Sequence, residues 1–361
     1  MKEKKSNFKD LVAITRGEIV ENIHFGSYCI FEKTKGTIYS YGDINNLIFT
    51  RSTAKPFQAL AVILSGAYKK YDMSPKELAL ICSSHFAEKQ HIETVISLMD
   101  KIGLSEKDLL TPFSYSRSNK IKEKQLILGE KQSKLNSDCS GKHAGMLSVC
   151  KKKGYPIENY VDLNHPLQQE ILKIVSIIYS YEDIKTGIDG CSAPVFAVPL
   201  ESMAKSYLTL ITCKLDNKQK EIAKKFNYSI EEIEDALKIV KNSILQNPQM
   251  IAGTEGLCTL LISLYGGSCI AKVGAAGVYC LGLNDFNTKK DLGIALKISD
   301  GSIDAAEFAL MSILYKLNIL PSTRSNYIDT ILFKKNFNEH GNPVGEYIFL
   351  DSNLSPLSNL I

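Results

Sequence analysis

No apolar run noted in this sequence is long enough to span a bilayer. The stretches 171–178 and 257–265 fall well short of the roughly 20 apolar residues a membrane helix needs. A basic stripe with interleaved aromatics is also missing, and a net charge of +4 is small for 361 residues, so no nucleic-acid surface is expected. Met1-Lys2-Glu3-Lys4-Lys5-Ser6-Asn7 leads into polar sequence and not into an apolar stretch. A secretory leader is therefore not expected, and a cytoplasmic setting is. There is no internal repeat, no low-complexity tract and no Pro/Ser-rich linker. The nine cysteines (29, 82, 139, 150, 191, 213, 258, 269 and 280) are odd in number and irregularly spaced. That pattern speaks against a disulfide framework and for reduced thiols, most of them small buried hydrophobes.

What is present suits a soluble globular protein: 44% hydrophobic and 23% charged residues, enough for a sizeable core. Residues 11–17, 21–31 and 37–41 read as strands of an antiparallel opening, with a turn at 33–36. Residues 52–64 read as one helix, and 74–165 as mainly helical, with Ser74 a plausible cap. After a glycine-rich turn at 187–194, residues 231–244 read as a helix, 268–273, 278–283 and 293–298 as strands, and 302–317 as a last long helix. Strands at both ends with helices between predict an α/β protein of the α+β kind, with one antiparallel sheet built from both termini. The chain is read as a single catalytic domain, 1–361. Its sheet lobe is expected at about 8–50 and 186–350, and its helical lobe at about 51–185.

The most reactive combination is Arg51-Ser52-Thr53-Ala54-Lys55-Pro56. Positions three apart share a helical face, and an amine beside a hydroxyl is one of few ways to activate serine as a nucleophile. The same spacing also fits a capping serine followed by a surface lysine. In Ser83-Ser84-His85, neighbouring side chains point apart, so adjacency makes no dyad, and a polar helix-to-loop junction explains it equally. Asp138-Cys139-Ser140-Gly141-Lys142-His143-Ala144-Gly145 packs a thiol, a lysine and a histidine between glycines, which let a backbone approach a ligand closely. Cys191 lies in a second glycine-bounded turn, after Asp189. The two cysteines are candidates to meet at a metal, or to form a buried structural pair; the local spacing is neither C-x-x-C nor H-E-x-x-H. Lys272-Val273-Gly274 suits a lysine lining an active site from a strand, or one that blunts a sheet edge.

Taken together with Arg16-Gly17, His24-Phe25-Gly26-Ser27, Ala252-Gly253-Thr254 and Asn338-x-x-Gly341-x-x-Val344-Gly345, these motifs resemble the asparaginase II family, the thermolabile Rhizobium-type class. The likeness runs in order from about residue 11 to about residue 347. It implies a fold similar to the serine β-lactamase and glutaminase architecture and hydrolysis of L-asparagine to L-aspartate and ammonia. It also implies two Ser-Lys tandems, Ser52 with Lys55 and Ser84 with Lys272, with Ser52 the nucleophile and Lys55 its base. By the same likeness Cys139, Lys142 and Cys191 are candidate zinc ligands, and Arg51, His143 and Asp189 candidate substrate contacts. A homodimer and no organic cofactor are expected. Three positions depart from the family pattern. Phe86-Ala87 stands where many relatives have a small residue and glycine, Glu255-Gly256-Leu257 where they usually show an arginine, and Ala276 where an acidic residue is common. A glutaminase, another amide hydrolase, or an asparagine-binding protein without turnover are the alternatives.

Overall fold

The computed structural model describes residues 7–285 and 288–360. Residues 1–6, read above for a leader, lie outside the described residues. The chain divides into two compact units: 1–53 with 198–212 and 264–361, and 54–197 with 213–263.

The first unit carries the sheet. Eight strands of the described residues join in one antiparallel array. Its order is Lys335–Phe337, Pro343–Phe349, Lys9–Arg16, Ile19–Glu32, Lys290–Ile298, Val278–Asp285 and Cys269–Gly274, with Gly36–Tyr41 also paired to Ile19–Glu32. Both ends of the chain contribute, as expected, because the long Ile19–Glu32 strand pairs with Lys9–Arg16 and with Lys290–Ile298. Cys269–Gly274 and Val278–Asp285 are buried almost throughout, which is why they read as continuous apolar runs and not as alternating ones. The helix Leu200–Thr212 lies on this sheet at unusually close range. A Cβ at Gly282 would sit 2.3 Å from the Tyr207 carbonyl oxygen, and one at Gly293 would sit 1.9 Å from that of Ala204. Only glycine permits that approach. The helix Ile303–Lys316 packs on strands of the same sheet.

The second unit is largely helical and also takes in 186–197 and 213–263, both of which the expected sheet lobe of 186–350 included. For 213–263 the change follows from the helices Asn217–Lys225 and Ile230–Gln246, which pack on Pro166–Tyr179 and on Pro75–Ile81. Ser74 does cap Pro75–Ile81, in a reciprocal capping box with Glu77. The expected single helix at 52–64 is instead broken into a 3-10 turn, Arg51–Ala54, and two short helices, Lys55–Gln58 and Leu60–Leu64. The turn at 187–194 is the bend of a hairpin in which 185–188 pairs with 194–197. Ser140–Lys153 is buried over its first eleven residues. Its glycines serve packing against protein, not ligand approach as the sequence suggested: a Cβ at Gly141 would lie 2.4 Å from the Leu80 carbonyl, and one at Gly145 2.7 Å from Ile81.

All nine cysteines are buried, and none is joined to another by a disulfide. Among the described residues no helix is long and apolar enough to cross a membrane.

Candidate active site

In the helical unit the buried amine of Lys55 is the centre of a polar cluster. It donates to the Ser83 carbonyl at 2.7 Å, to Ser84 Oγ at 3.0 Å and to the Asp138 carbonyl at 3.1 Å. The Asp138 carboxylate adds an ion pair at 3.5 Å. Three acceptors match the three donors of an ammonium. Lys55 is 1% exposed, so the reading of it as a surface lysine fails. Ser84 is equally buried, and its backbone N–H is fixed on the Ile251 carbonyl at 2.9 Å. Asp138 Oδ2 also accepts from Arg117 Nη1 at 3.1 Å.

His85 faces away from this cluster, as adjacency predicts. Its Nδ1 accepts from the Ala87 N–H at 3.1 Å, so Nε2 carries the proton and donates to Ser140 Oγ at 2.8 Å. Burial, aided by stacked His91, pushes its pKa down to about 3, which keeps it neutral.

The same unit brings Cys139, Lys142 and Cys191 together. Lys142 Nζ donates to Cys191 Sγ at 3.0 Å, and the Cys139 thiol bonds to the same sulfur. That thiol bond, with the Lys142 ammonium, holds Cys191 far below the ordinary thiol range despite its burial. Cys139 is pushed well up by the same bond and by burial. Burial draws Lys142 down, but the charges on Cys191, Cys139 and Asp189, together with the hydrogen bond to Cys191, outweigh it and leave the amine above its usual value. His143 is fully buried, with Nδ1 on the Tyr160 hydroxyl at 2.7 Å. Its Nε2 is buried with no hydrogen bond of ordinary geometry, although Cys191 lies beside the ring. Asp189 is half-buried in the hairpin bend, close enough for its charge to act on Lys142. Among the described residues no group of three or more His, Cys, Asp or Glu gathers to hold a metal; the third donor of this cluster is a lysine.

Arg51, Ser52 and Lys272 belong to the sheet unit. Ser52 is buried in its 3-10 turn, not exposed as a surface capping serine would be, and Arg51 holds a left-handed φ of 49° just before it. The turn is braced by Thr53 Oγ1 on the Thr50 carbonyl at 2.6 Å and by the Tyr207 hydroxyl on the Thr53 carbonyl at 2.9 Å. Gly274 abuts it: a Cβ there would lie 3.1 Å from the Thr50 carbonyl oxygen and 3.2 Å from the Thr53 methyl. Two residues earlier on the same strand, Lys272 is 1% exposed and donates to the Val273 carbonyl at 3.0 Å. A lysine that merely blunts an edge would be in solvent; this one is not.

The family comparison agrees with these motifs. The model of the L-asparaginase II family matches residues 12–349, nearly the whole chain. The chain belongs to the L-asparaginase II family. Membership makes it an amidohydrolase. No curated protein matches it. Among solved structures, it is similar to a probable glutaminase from Bacillus subtilis complexed with 6-diazo-5-oxo-L-norleucine. That pair shares 13% identity over 81% of this chain and 84% of the other, with a TM-score of 0.38. A covalent complex of the Bacillus subtilis glutaminase YbgJ with 5-oxo-L-norleucine gives 13%, 79%, 87% and 0.35 by the same measures. A Bacillus glutaminase in 4.3M NaCl gives 12%, 82%, 91% and 0.36.

The departures of this L-asparaginase II family chain have visible consequences. Ala87 adopts a left-handed φ of 54°, at the position where the resemblance leads one to expect glycine. Phe86 packs on Gly253, where a Cβ would meet its ring at 2.9 Å. Glu88 then clamps the Gly253-Thr254 loop, accepting from the Thr254 N–H at 2.7 Å and hydroxyl at 3.0 Å. Burial pushes this carboxyl up, and the Thr254 bonds, a bond from Gln90 and the nearby His91 together more than reverse it. Glu255 pairs with Lys120 at 3.2 Å.

Arg117, the Asp138 carboxylate and Tyr207 carry no local signal in the sequence. Arg117 meets Asp138 across 21 residues, and Tyr207 reaches Thr53 across 154. Such pairings exist only once the chain is folded.

Proposed function

We propose that this chain is an L-asparaginase that hydrolyses L-asparagine to L-aspartate and ammonia through a lysine-activated serine. The observation that supports the reading most is the buried Lys55 amine bonded to Ser84 Oγ at 3.0 Å, three residues along the chain from Ser52. Ser52 Oγ attacks the side-chain amide carbon, and Lys55, reacting as the neutral amine and not as the ammonium, takes the hydroxyl proton. The tetrahedral oxyanion collapses, the C–N bond breaks, and the nitrogen leaves as ammonia once it has received that proton. An aspartyl ester on Ser52 remains, and water cleaves it to aspartate and free serine. Ser84 and Lys272 form the second tandem, which holds the amine in place and passes protons. Arg51, His143 and Asp189 are the proposed substrate contacts, in a cytoplasmic homodimer.

Cys139, Lys142 and Cys191 are the proposed zinc ligands: two sulfurs and a nitrogen converge in a buried cluster, and Cys139 and Lys142 would each have to give up a proton to the solvent on binding. When bound, zinc would hold these three donors deprotonated and position the substrate beside them. No organic cofactor is required by the chemistry.

Ammonia release from L-asparagine and from L-glutamine, by wild type and Ser52→Ala, tests the reading. Asparagine turnover that is lost in Ser52→Ala supports it. Glutamine as the better substrate would move the assignment to a glutaminase. Absence of ammonia from either amide, in a folded protein that binds asparagine, would replace it with a binding role.

A further inference from the structure

We propose that Arg117 is a substrate-recognition residue, which takes the α-carboxylate of the amino-acid substrate. The inference rests on the asparaginase reading and deepens it.

Arg117 is fixed where such a contact is needed. Ser116, just before it, donates its hydroxyl to the carbonyl of Phe86, two residues beyond Ser84, and accepts from the Ser118 N–H at 3.0 Å. The backbone on either side of Arg117 is thus tied to the Ser84 loop. Its guanidinium shares Asp138 Oδ2 with Lys55, at 3.1 Å and 3.5 Å respectively. In asparagine only two carbons separate the carboxylate from the amide carbon, so the carboxylate must be held close to the reacting groups.

Three other cations of the helical unit are committed. Lys55 has three acceptors, Lys142 is bonded to Cys191, and Lys120 is paired with Glu255. Arg117 engages Asp138 through Nη1, and its side chain is 41% exposed, so donors remain on its five-donor fork. A planar fork of this kind pairs with a carboxylate through two parallel bonds. The Asp138 pair is a poor stability device, because ion pairs at this exposure contribute little. Its effect is to orient the guanidinium.

The test compares wild type, Arg117→Gln and Arg117→Lys on L-asparagine and on L-aspartic acid diamide, which keeps the side-chain amide but lacks the carboxylate. The expected result is a KM for asparagine raised about 10- to 100-fold in Arg117→Gln, with kcat within about threefold. The diamide should lose no more than about the same threefold in kcat, with no comparable rise in KM, and Arg117→Lys should recover part of the asparagine loss. Unchanged asparagine kinetics, or an equal loss on both substrates, overturns the proposal while leaving the asparaginase reading intact. If wild type hydrolyses neither amide, that reading fails by itself. Calorimetric binding of L-asparagine then decides on Arg117: weakened binding in Arg117→Gln supports its role, and equal binding or none in wild type overturns it.

Discussion

Lys55 Nζ and Ser84 Oγ are joined by a 3.0 Å hydrogen bond across 29 residues of chain, and the other two acceptors of that amine are backbone carbonyls. The position of the amine is therefore set largely by main chain and depends on Ser84 for only one contact. Two variants separate these contributions. Lys55→Met removes the bonds of the amine to the Ser83 and Asp138 carbonyls and to Ser84, at a cost of about 1–3 kcal/mol. It should lower stability in urea unfolding and reduce kcat by about a thousandfold or more, if the amine is the base. Ser84→Ala keeps both carbonyl bonds. Its stability should change by less than about 1.5 kcal/mol, with a smaller loss of kcat, about 10- to 100-fold.

Gly141 makes a packing prediction at the other end of the cluster. An added methyl would be 2.4 Å from the Leu80 carbonyl oxygen, and that backbone has no rotamer to yield. Gly141→Ala should destabilise by about 1–3 kcal/mol in urea unfolding. It should also weaken asparagine hydrolysis, because the residue after Gly141 on that helix is Lys142.

Ala87 works in the opposite direction. At φ 54° its Cβ crowds the following carbonyl, a conformation that costs an L-residue about 1–2 kcal/mol. Glycine removes that cost and gives back part of it through the entropy of the unfolded chain. Ala87→Gly should stabilise by about 1 kcal/mol, read as a higher urea midpoint at constant slope. The Glu88 clamp on Thr254 should be undisturbed.

Glu307, on the Ile303–Lys316 helix, makes a pH prediction. Burial lifts its pKa to about 7, with Lys334 opposing and Asp304 assisting that shift. The folded state thus holds a proton that the unfolded state releases near pH 4.5. Stability from this group is complete below about pH 4.5 and is lost as pH rises towards and through 7. Glu307→Gln removes that loss. The variant should match wild type near pH 4.5 and exceed it at pH 8 by on the order of 3 kcal/mol in urea unfolding.

Strands such as Ile19–Glu32 and Val278–Asp285 and the helices Pro75–Ile81, Ile230–Gln246 and Ile303–Lys316 are legible in the sequence because their signals are local: apolar runs bounded by turn residues, or a capping serine such as Ser74. Pro166–Tyr179, Leu200–Thr212 and Pro343–Phe349 are not among the expected elements. The individual motif residues are legible through their reactive types and spacings. Less visible is what each motif residue touches. Gly141 and Gly145 read as ligand-approach glycines, and only the path of Pro75–Ile81 beside them shows that they meet Leu80 and Ile81. His85 sits next to Ser84 in sequence but bonds Ser140, because adjacent side chains diverge and the Ala87 N–H occupies Nδ1. The 3-10 turn Arg51–Ala54 likewise meets partners from distant segments of the sheet unit, Tyr207 on the Thr53 carbonyl and Gly274 against Thr50 and Thr53, which its own sequence does not announce. Arg117 is invisible for the same reason: its partner lies 21 residues away and nothing in Ser116-Arg117-Ser118 announces it.

The most direct measurement is acid quench of wild-type protein during turnover of L-asparagine, followed by peptide mapping for the aspartyl ester. The proposed mechanism predicts the ester on the peptide that carries Ser52, present only while substrate lasts, and absent in Ser52→Ala. An ester on Ser84 instead, or undiminished turnover by Ser52→Ala, would contradict it.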